Sequence, residues 1–182
     1  MSHSPILYVC RNLWIVGQRY SVQDQFDDFP FTIERKLFGL TKFVIISRNQ
    51  SPDQANSSFS VRLRHALSDA YDIVDASNEM SIGVITDKTL LFDNFLISSP
   101  AEDAIGTIKF RKLFFFGAHY DICSQGRVVG SMTLTRTDLF EIRMTINFSK
   151  DFDDCFDERI AIAVALLILA RVYQSGGGGS GP

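Results

Sequence analysis

The amino-acid sequence predicts a single, mainly β domain: a barrel threaded by one hydrophobic C-terminal helix. Three observations carry that prediction. Most of the chain alternates apolar and polar residues in short runs bounded by turn residues, as strands do. A Tyr-led strand pattern recurs at intervals of 51 and 49 residues. Near the C-terminus, eleven consecutive apolar residues, Ile160 to Ala170, have no polar face.

Candidate strands, in chain order, are Ile6 to Cys10, Leu13 to Val16, Phe43 to Ser47, Phe59 to His65 and Ile105 to Phe110. In the fourth, Phe59, Val61 and Leu63 alternate with Ser60, Arg62 and Arg64, which places both arginines on one face. Ile108 and Phe110 similarly oppose Lys109 and Arg111. This period of two describes a half-buried strand. Asn49 to Ser58 is a long polar loop, read as a surface excursion because strand patterning resumes after it.

The repeat opens at Tyr20-Ser-Val22-Gln-Asp24, Tyr71-Asp-Ile73-Val-Asp75 and Tyr120-Asp-Ile122-Cys-Ser124. Each unit reaches an apolar residue nine positions past its Tyr: Phe29, Met80 and Val129. Each therefore reads as strand, turn and returning strand, with turns at Asp27-Asp28, Ser77-Asn78 and Gln125-Gly126. The similarity is weak and the terminal helix breaks the series, so a solenoid is rejected.

The helix is announced by Asp151, Asp153, Asp154, Asp157 and Glu158 and followed by Arg171, a charge order that suits the helix dipole. Asp153 or Asp154 is the expected N-cap. Eleven apolar residues are too few for a membrane span, which takes about 20. An apolar surface all round marks a helix enclosed by protein. Ile160, Ile162, Val164, Leu166, Leu167, Ile168, Leu169 and Val172 would each contribute roughly 1.5–3 kcal/mol on full burial, gross of entropy. Ala161, Ala163, Ala165 and Ala170 would let strands approach closely.

Of the 182 residues, 175–182 (SGGGGSGP) read as an engineered flexible linker, leaving 1–174 as the domain. Hydrophobic residues make up 46%, with 16 Phe, enough for a sizeable core. A net charge of −3 and a pI near 5.6 argue against a general nucleic-acid footprint. Cys10, Cys123 and Cys155 form no paired motif, and the first ten residues lack a signal-peptide pattern; a cytoplasmic protein is expected.

The stretch from Tyr20 to Asp24, continuing through Phe29-Pro-Phe31-Thr-Ile33-Glu-Arg-Lys36-Leu-Phe-Gly39-Leu to Phe43, resembles the Tubby C-terminal-like superfamily, and within it the LURF-one-related group. The acidic run before the apolar helix is a second similarity. The resemblance spans Ile6 to Tyr173 as pattern more than identity. It implies a closed antiparallel barrel of about twelve strands around the helix. The first turn, Gln25-Phe26-Asp27-Asp28, lacks the Gly common in the family, which implies a differently shaped loop. The resemblance implies no single function: Tubby proteins bind phosphoinositides, scramblases act at membranes, and many LURF-one-like proteins have no assigned activity.

No hydrolase elbow, metalloprotease motif or phosphate-binding glycine loop occurs, so neither catalysis nor a cofactor is expected. His3 lies in the N-terminal tail, while His65 and His119 read as structural histidines at strand ends. Cys123 reads as a buried, inert strand thiol. The acids from Asp151 to Glu158 lack the spacing and glycine of a Ca²⁺ loop, so no metal is expected. Two basic groups, Arg35, Lys36 and Lys42, then Lys109, Arg111 and Lys112, would hold a polyphosphorylated headgroup if closure brings them together; solvated strand faces are the competing reading. The first expectation is a protein partner, met by loops and edge strands in an adaptor, inhibitor or immunity-type role. The linker at the C-terminus agrees with tethering of a partner or with a tag scar. An anionic-lipid surface is the second expectation, with no transmembrane segment.

Overall fold

A computed structural model describes residues 6–12, 19–24, 31–35, 41–47, 58–65, 69–88, 94–101, 103–114, 117–136, 141–149 and 157–176. The first six strands are β1 (Ile6–Asn12), β2 (Arg19–Asp24), β3 (Phe31–Arg35), β4 (Thr41–Ser47), β5 (Phe59–Leu63) and β6 (Ala70–Asp75). The remaining six are β7 (Ser81–Asp87), β8 (Asn94–Ser98), β9 (Ala104–Phe114), β10 (Gly117–Ser124), β11 (Arg127–Arg136) and β12 (Glu141–Phe148). Helix α1 (Glu158–Gly176) completes the chain.

Each strand pairs antiparallel with its neighbours in sequence, and β1 pairs with β12 to close the ring. Closure leaves no edge, so the edge strands expected to meet a partner do not exist here. All odd-numbered strands run one way. The barrel thus has a hairpin end, where β6 turns into β7 and β10 into β11, and an opposite end where odd strands finish.

Alternation explains which side chains enter. In β10 every second residue is buried, from Ala118 through Tyr120 and Ile122 to Ser124, and β12 follows the same alternation from Met144 through Ile146 to Phe148. An eight-stranded barrel fills with its own side chains, whereas twelve strands enclose a wider space. Helix α1 fills it. Ile160, Ile162, Val164, Leu166, Leu167, Ile168 and Leu169 are buried, as are Ala161, Ala163 and Ala165. The strand wall comes close where α1 enters: a Cβ on Gly83 of β7 would lie 3.0 Å from Ile160 Cδ1. Among the described residues no helix is long and apolar enough to cross a membrane.

The hairpins show the turn chemistry directly. Gln125 and Gly126 both have positive φ (49° and 78°), as a two-residue type I′ turn requires. Between β6 and β7, Asp75 Oδ1 accepts from Ser77 N–H at 2.7 Å and Ser77 Oγ–H at 2.5 Å, while Asn78 Oδ1 accepts from Met80 N–H. The Tyr-led repeat falls on β2, β6 and β10, every fourth strand of the ring. The first of the three turns, Gln25-Phe26-Asp27-Asp28 with Phe29, lies outside the described residues, as does the expected strand Leu13 to Val16. Of the polar loop, only Ser58 is described. The strand expected to reach His65 ends at Leu63, and Arg64 and His65 form a bend.

Both expected helix ends are corrected. The N-cap is Asp157, whose Oδ1 accepts from Arg159 N–H at 2.9 Å; Asp153 and Asp154 lie outside the described residues. Arg171 is not in the last turn, because the helix continues to Gly176, two residues into the stretch read as linker. It instead pairs with Asp87 of β7 at 2.5 Å.

Candidate functional site

Two polar constructions stand out against the apolar interior. The first rings the helix where it leaves the barrel. Arg11 follows Leu7 and Val9 on the inner face of β1 and is 1% exposed. Its Nη1–H donates to the Leu169 carbonyl at 3.1 Å, and its guanidinium lies 5.7 Å from the Tyr20 ring centroid. Tyr20 meets Phe43 edge to face at 5.4 Å. Burial raises the Tyr20 phenol above its ordinary pKa, while Arg11 and Arg35 pull it down. Arg171 lies 5.2 Å over the Phe95 ring. These contacts hold the helix in the barrel.

The second is an open trough on the outer wall across β8, β9 and β10. Three bulges bend this region: β8 against β9 at Ile97/Ser98, β10 against β9 at His119/Tyr120, and β10 against β11 at Ile122/Cys123. The first leaves Ile105 out of register, and Ser124 Oγ–H donates to its carbonyl at 2.9 Å. The trough encloses about 470 Å³ and includes Leu96, Ile105, Gly106, Thr107, Lys109 and Cys123 in its lining. A smaller, mainly apolar hollow of about 250 Å³ continues from Leu96, Thr107 and Lys109 to Asn94 and Lys88.

Register sorts this wall into levels. Leu96, Thr107, Cys123 and Val128 lie side by side, and Val128 is 58% exposed. Two residues toward the helix-exit end, three on β11 because of its bulge, come Asn94, Lys109, Asp121 and Ser131. Beyond them, Lys112 faces His119, which faces Thr133. Arg111, the extra residue of the middle bulge, pairs with Asp121. Cations therefore concentrate toward the helix-exit end of β9, at Lys109, Arg111 and Lys112, while Leu96 and Val128 lie toward the hairpin end. These outward charges and hydroxyls are the reverse of the apolar belt that a membrane-spanning barrel turns to lipid.

The two basic groups expected from sequence do not meet. Strand β3 lies six positions from β9 in the twelve-strand ring, on the opposite wall. Arg35 follows Phe31 and Ile33 on the inner face, whereas Lys42 sits at a bulge of β4; Lys36 lies outside the described residues. Lys109, Arg111 and Lys112 do stand together, all exposed on β9. Both groups lie toward the helix-exit end.

No family model matches the chain, and no curated protein matches it. An X-ray structure of a protein from Arabidopsis thaliana matches it over 93% of this chain and 92% of its own, with a TM-score of 0.53 and 12% identity. At that identity the likeness shows a shared fold alone.

His119 has structural partners. His119 Nδ1 lies 3.2 Å from Thr133 Oγ1, and Nε2 lies 3.5 Å from Asp121 Oδ1. It sits within β10, not at a strand end. Cys123, expected to be buried, is instead partly exposed, because its place on β10 turns it to the outer wall and into the trough. Cys10 is buried, and burial, followed by the nearby Glu141 charge, pushes its thiol pKa up to about 11. His3 and Cys155 lie outside the described residues. Among those described, no three His, Cys, Asp or Glu side chains are grouped to hold a metal. Sequence reading passed over Arg11, although its inward parity after Leu7 and Val9 signals it. It also passed over Leu96 and Thr107, which become neighbours only through strand register.

Proposed function

We propose that this chain is a Tubby-like barrel of the LURF-one-related kind that acts in the cytoplasm by binding a protein partner, without catalysis. The observation that carries the reading is the outer-wall trough, whose mixed lining sets Leu96, Ala104 and Ile105 among Thr107, Ser124 and Gln125, with Lys109 and further cations beyond it. A held bulge and a continuous ladder fix its shape before any partner arrives, which lowers the ordering cost of association. Exposed apolar side chains beside cations suit a protein surface, where an apolar centre supplies affinity and charges supply register. An adaptor or inhibitor role follows from binding without turnover. The Arabidopsis likeness supports the barrel and is silent on the partner.

The test is a pull-down from host lysate with the 1–174 chain and its Lys109→Glu variant. The expected result is one protein at near-stoichiometric yield with the unaltered chain and a loss of about tenfold with the variant. Failure to retain any specific protein would sink the reading.

A second reading, an anionic-lipid surface, is favoured by the position of Arg35, Lys42 and Lys112 toward one end of the barrel. A flat anionic surface reaches both walls there, although no single headgroup does. Salt-sensitive binding to anionic vesicles, lost in the Lys109/Arg111/Lys112 triple Ala variant, would put this reading first.

A further inference from the structure

We propose that the trough takes an extended segment of the partner that presents an apolar side chain and, two and four residues along the same face, carboxylates. The inference rests on the protein-partner reading above and adds the pattern and polarity of what is bound.

The grading of the wall sets the pattern. An apolar side chain fits over Leu96, Ile105 and Thr107, with Cys123 on the floor and Val128 as the flank. Lys109 lies two residues from Thr107 on β9, and Arg111 and Lys112 follow. Two residues of strand advance roughly 6.6 Å, the same step that separates like-facing side chains in an extended ligand. An apolar residue placed over Thr107 therefore brings a carboxylate two positions on to Lys109. A second carboxylate, four positions on, reaches Lys112, next to Arg111, which already pairs with Asp121. The described lining of the trough contains no carboxylate. Asp121, beside Lys109, is held by Arg111 and flanked by His119, so its charge is offset within the wall. A basic segment would meet Lys109 with like charge. A strand cannot be added to the sheet, because closure has used every edge; recognition must run through side chains. Three of the barrel's bulges lie at this wall, where they re-aim side chains.

The floor supplies its own reporter. Cys123 is partly exposed, whereas Cys10 is buried with a raised pKa and serves as the internal control. The full chain is treated with iodoacetamide at mildly alkaline pH, and alkylation at each cysteine is read by peptide mass spectrometry. The probes are a short blocked peptide with Leu followed by Glu two and four positions on, the same peptide with Lys for Glu, a scrambled Glu peptide, and phosphatidylserine vesicles. The expected result is that the ordered Glu peptide slows Cys123 alkylation about fivefold or more at millimolar concentration, and the others do not. Lys109→Glu should abolish that protection and transfer it to the Lys peptide, an exchange that a merely misfolded variant could not produce. Equal protection by the Glu and scrambled peptides overturns the pattern, and equal protection by the Lys peptide overturns the charge match. Protection by vesicles alone assigns the wall to lipid and overturns the proposal. If no peptide protects Cys123, this proposal fails; the protein-partner reading stands separately as long as the unaltered chain retains a specific protein from the lysate.

Discussion

At the scale of single residues, Arg159 shows how a barrel can grip a helix. Its Nη1–H donates to Asp75 Oδ2 at 2.7 Å and its Nη2–H to Asp157 Oδ2 at 2.7 Å. One guanidinium thus joins the end of β6 to the N-cap of α1. Burial alone would raise the Asp75 pKa, but the bonds from Ser77 together with Arg159 outweigh it and hold the carboxyl below its ordinary value. A carboxyl whose folded pKa is depressed stabilises the fold above its unfolded value of about 3.9, and that stability is lost as pH falls through the folded value. Asp75→Asn keeps an acceptor for Ser77 and loses the charge toward Arg159. The variant should be less stable by about 1–3 kcal/mol at neutral pH. Below pH 4 the gap to the unaltered chain should narrow. Denaturant melts across that range check both points; a gap independent of pH would show that Asp75 acts by packing and not by charge.

Elements reveal what local sequence can and cannot specify. The helix was legible because an apolar run without a polar face has few places to go, and here it occupies the barrel axis. Its ends were not. Several acids precede it, and only geometry decides that Asp157 caps it. Arg171 looked like a terminal base because it directly follows the apolar run Ile160 to Ala170; its partner, Asp87, is distant in sequence. The Lys109 group was legible as a strand face, because alternation around Ile108 is local. Its separation from Arg35 and Lys42 was not, because ring position depends on the strand count between them. Enclosure of the helix has a direct consequence. Leu167 is 4% exposed among residues of the barrel interior. Leu167→Asp would bury a carboxyl without a partner and remove a large apolar side chain, costing on the order of 4 kcal/mol or more. The expected outcome is loss of folded protein in expression and melting assays. A variant that melted normally would mean that the helix leaves the barrel in solution.

At the scale of the whole molecule, closure does more than complete the sheet. Seven residue pairs, from Ile6↔Asn147 to Asn12↔Glu141, join the first strand to the last. In an open sheet the two outer strands fray first, because each has hydrogen bonds on one side only. Here β1 is bonded to both β12 and β2, and Arg11 ties it to the helix at Leu169. The first and last strands should therefore be as protected as the middle ones. Native-state hydrogen exchange should give inward-pairing amides of β1 and β12 opening free energies within about 1 kcal/mol of those in β6 and β10. The twelvefold ring also carries the Tyr-led pattern at every fourth strand, so a seam between β1 and β12 has no structural privilege over the joints between repeat units. Markedly faster exchange in β1 alone would mean that the ring opens at its seam and that an edge becomes available to a partner, which would move recognition from the trough to the seam.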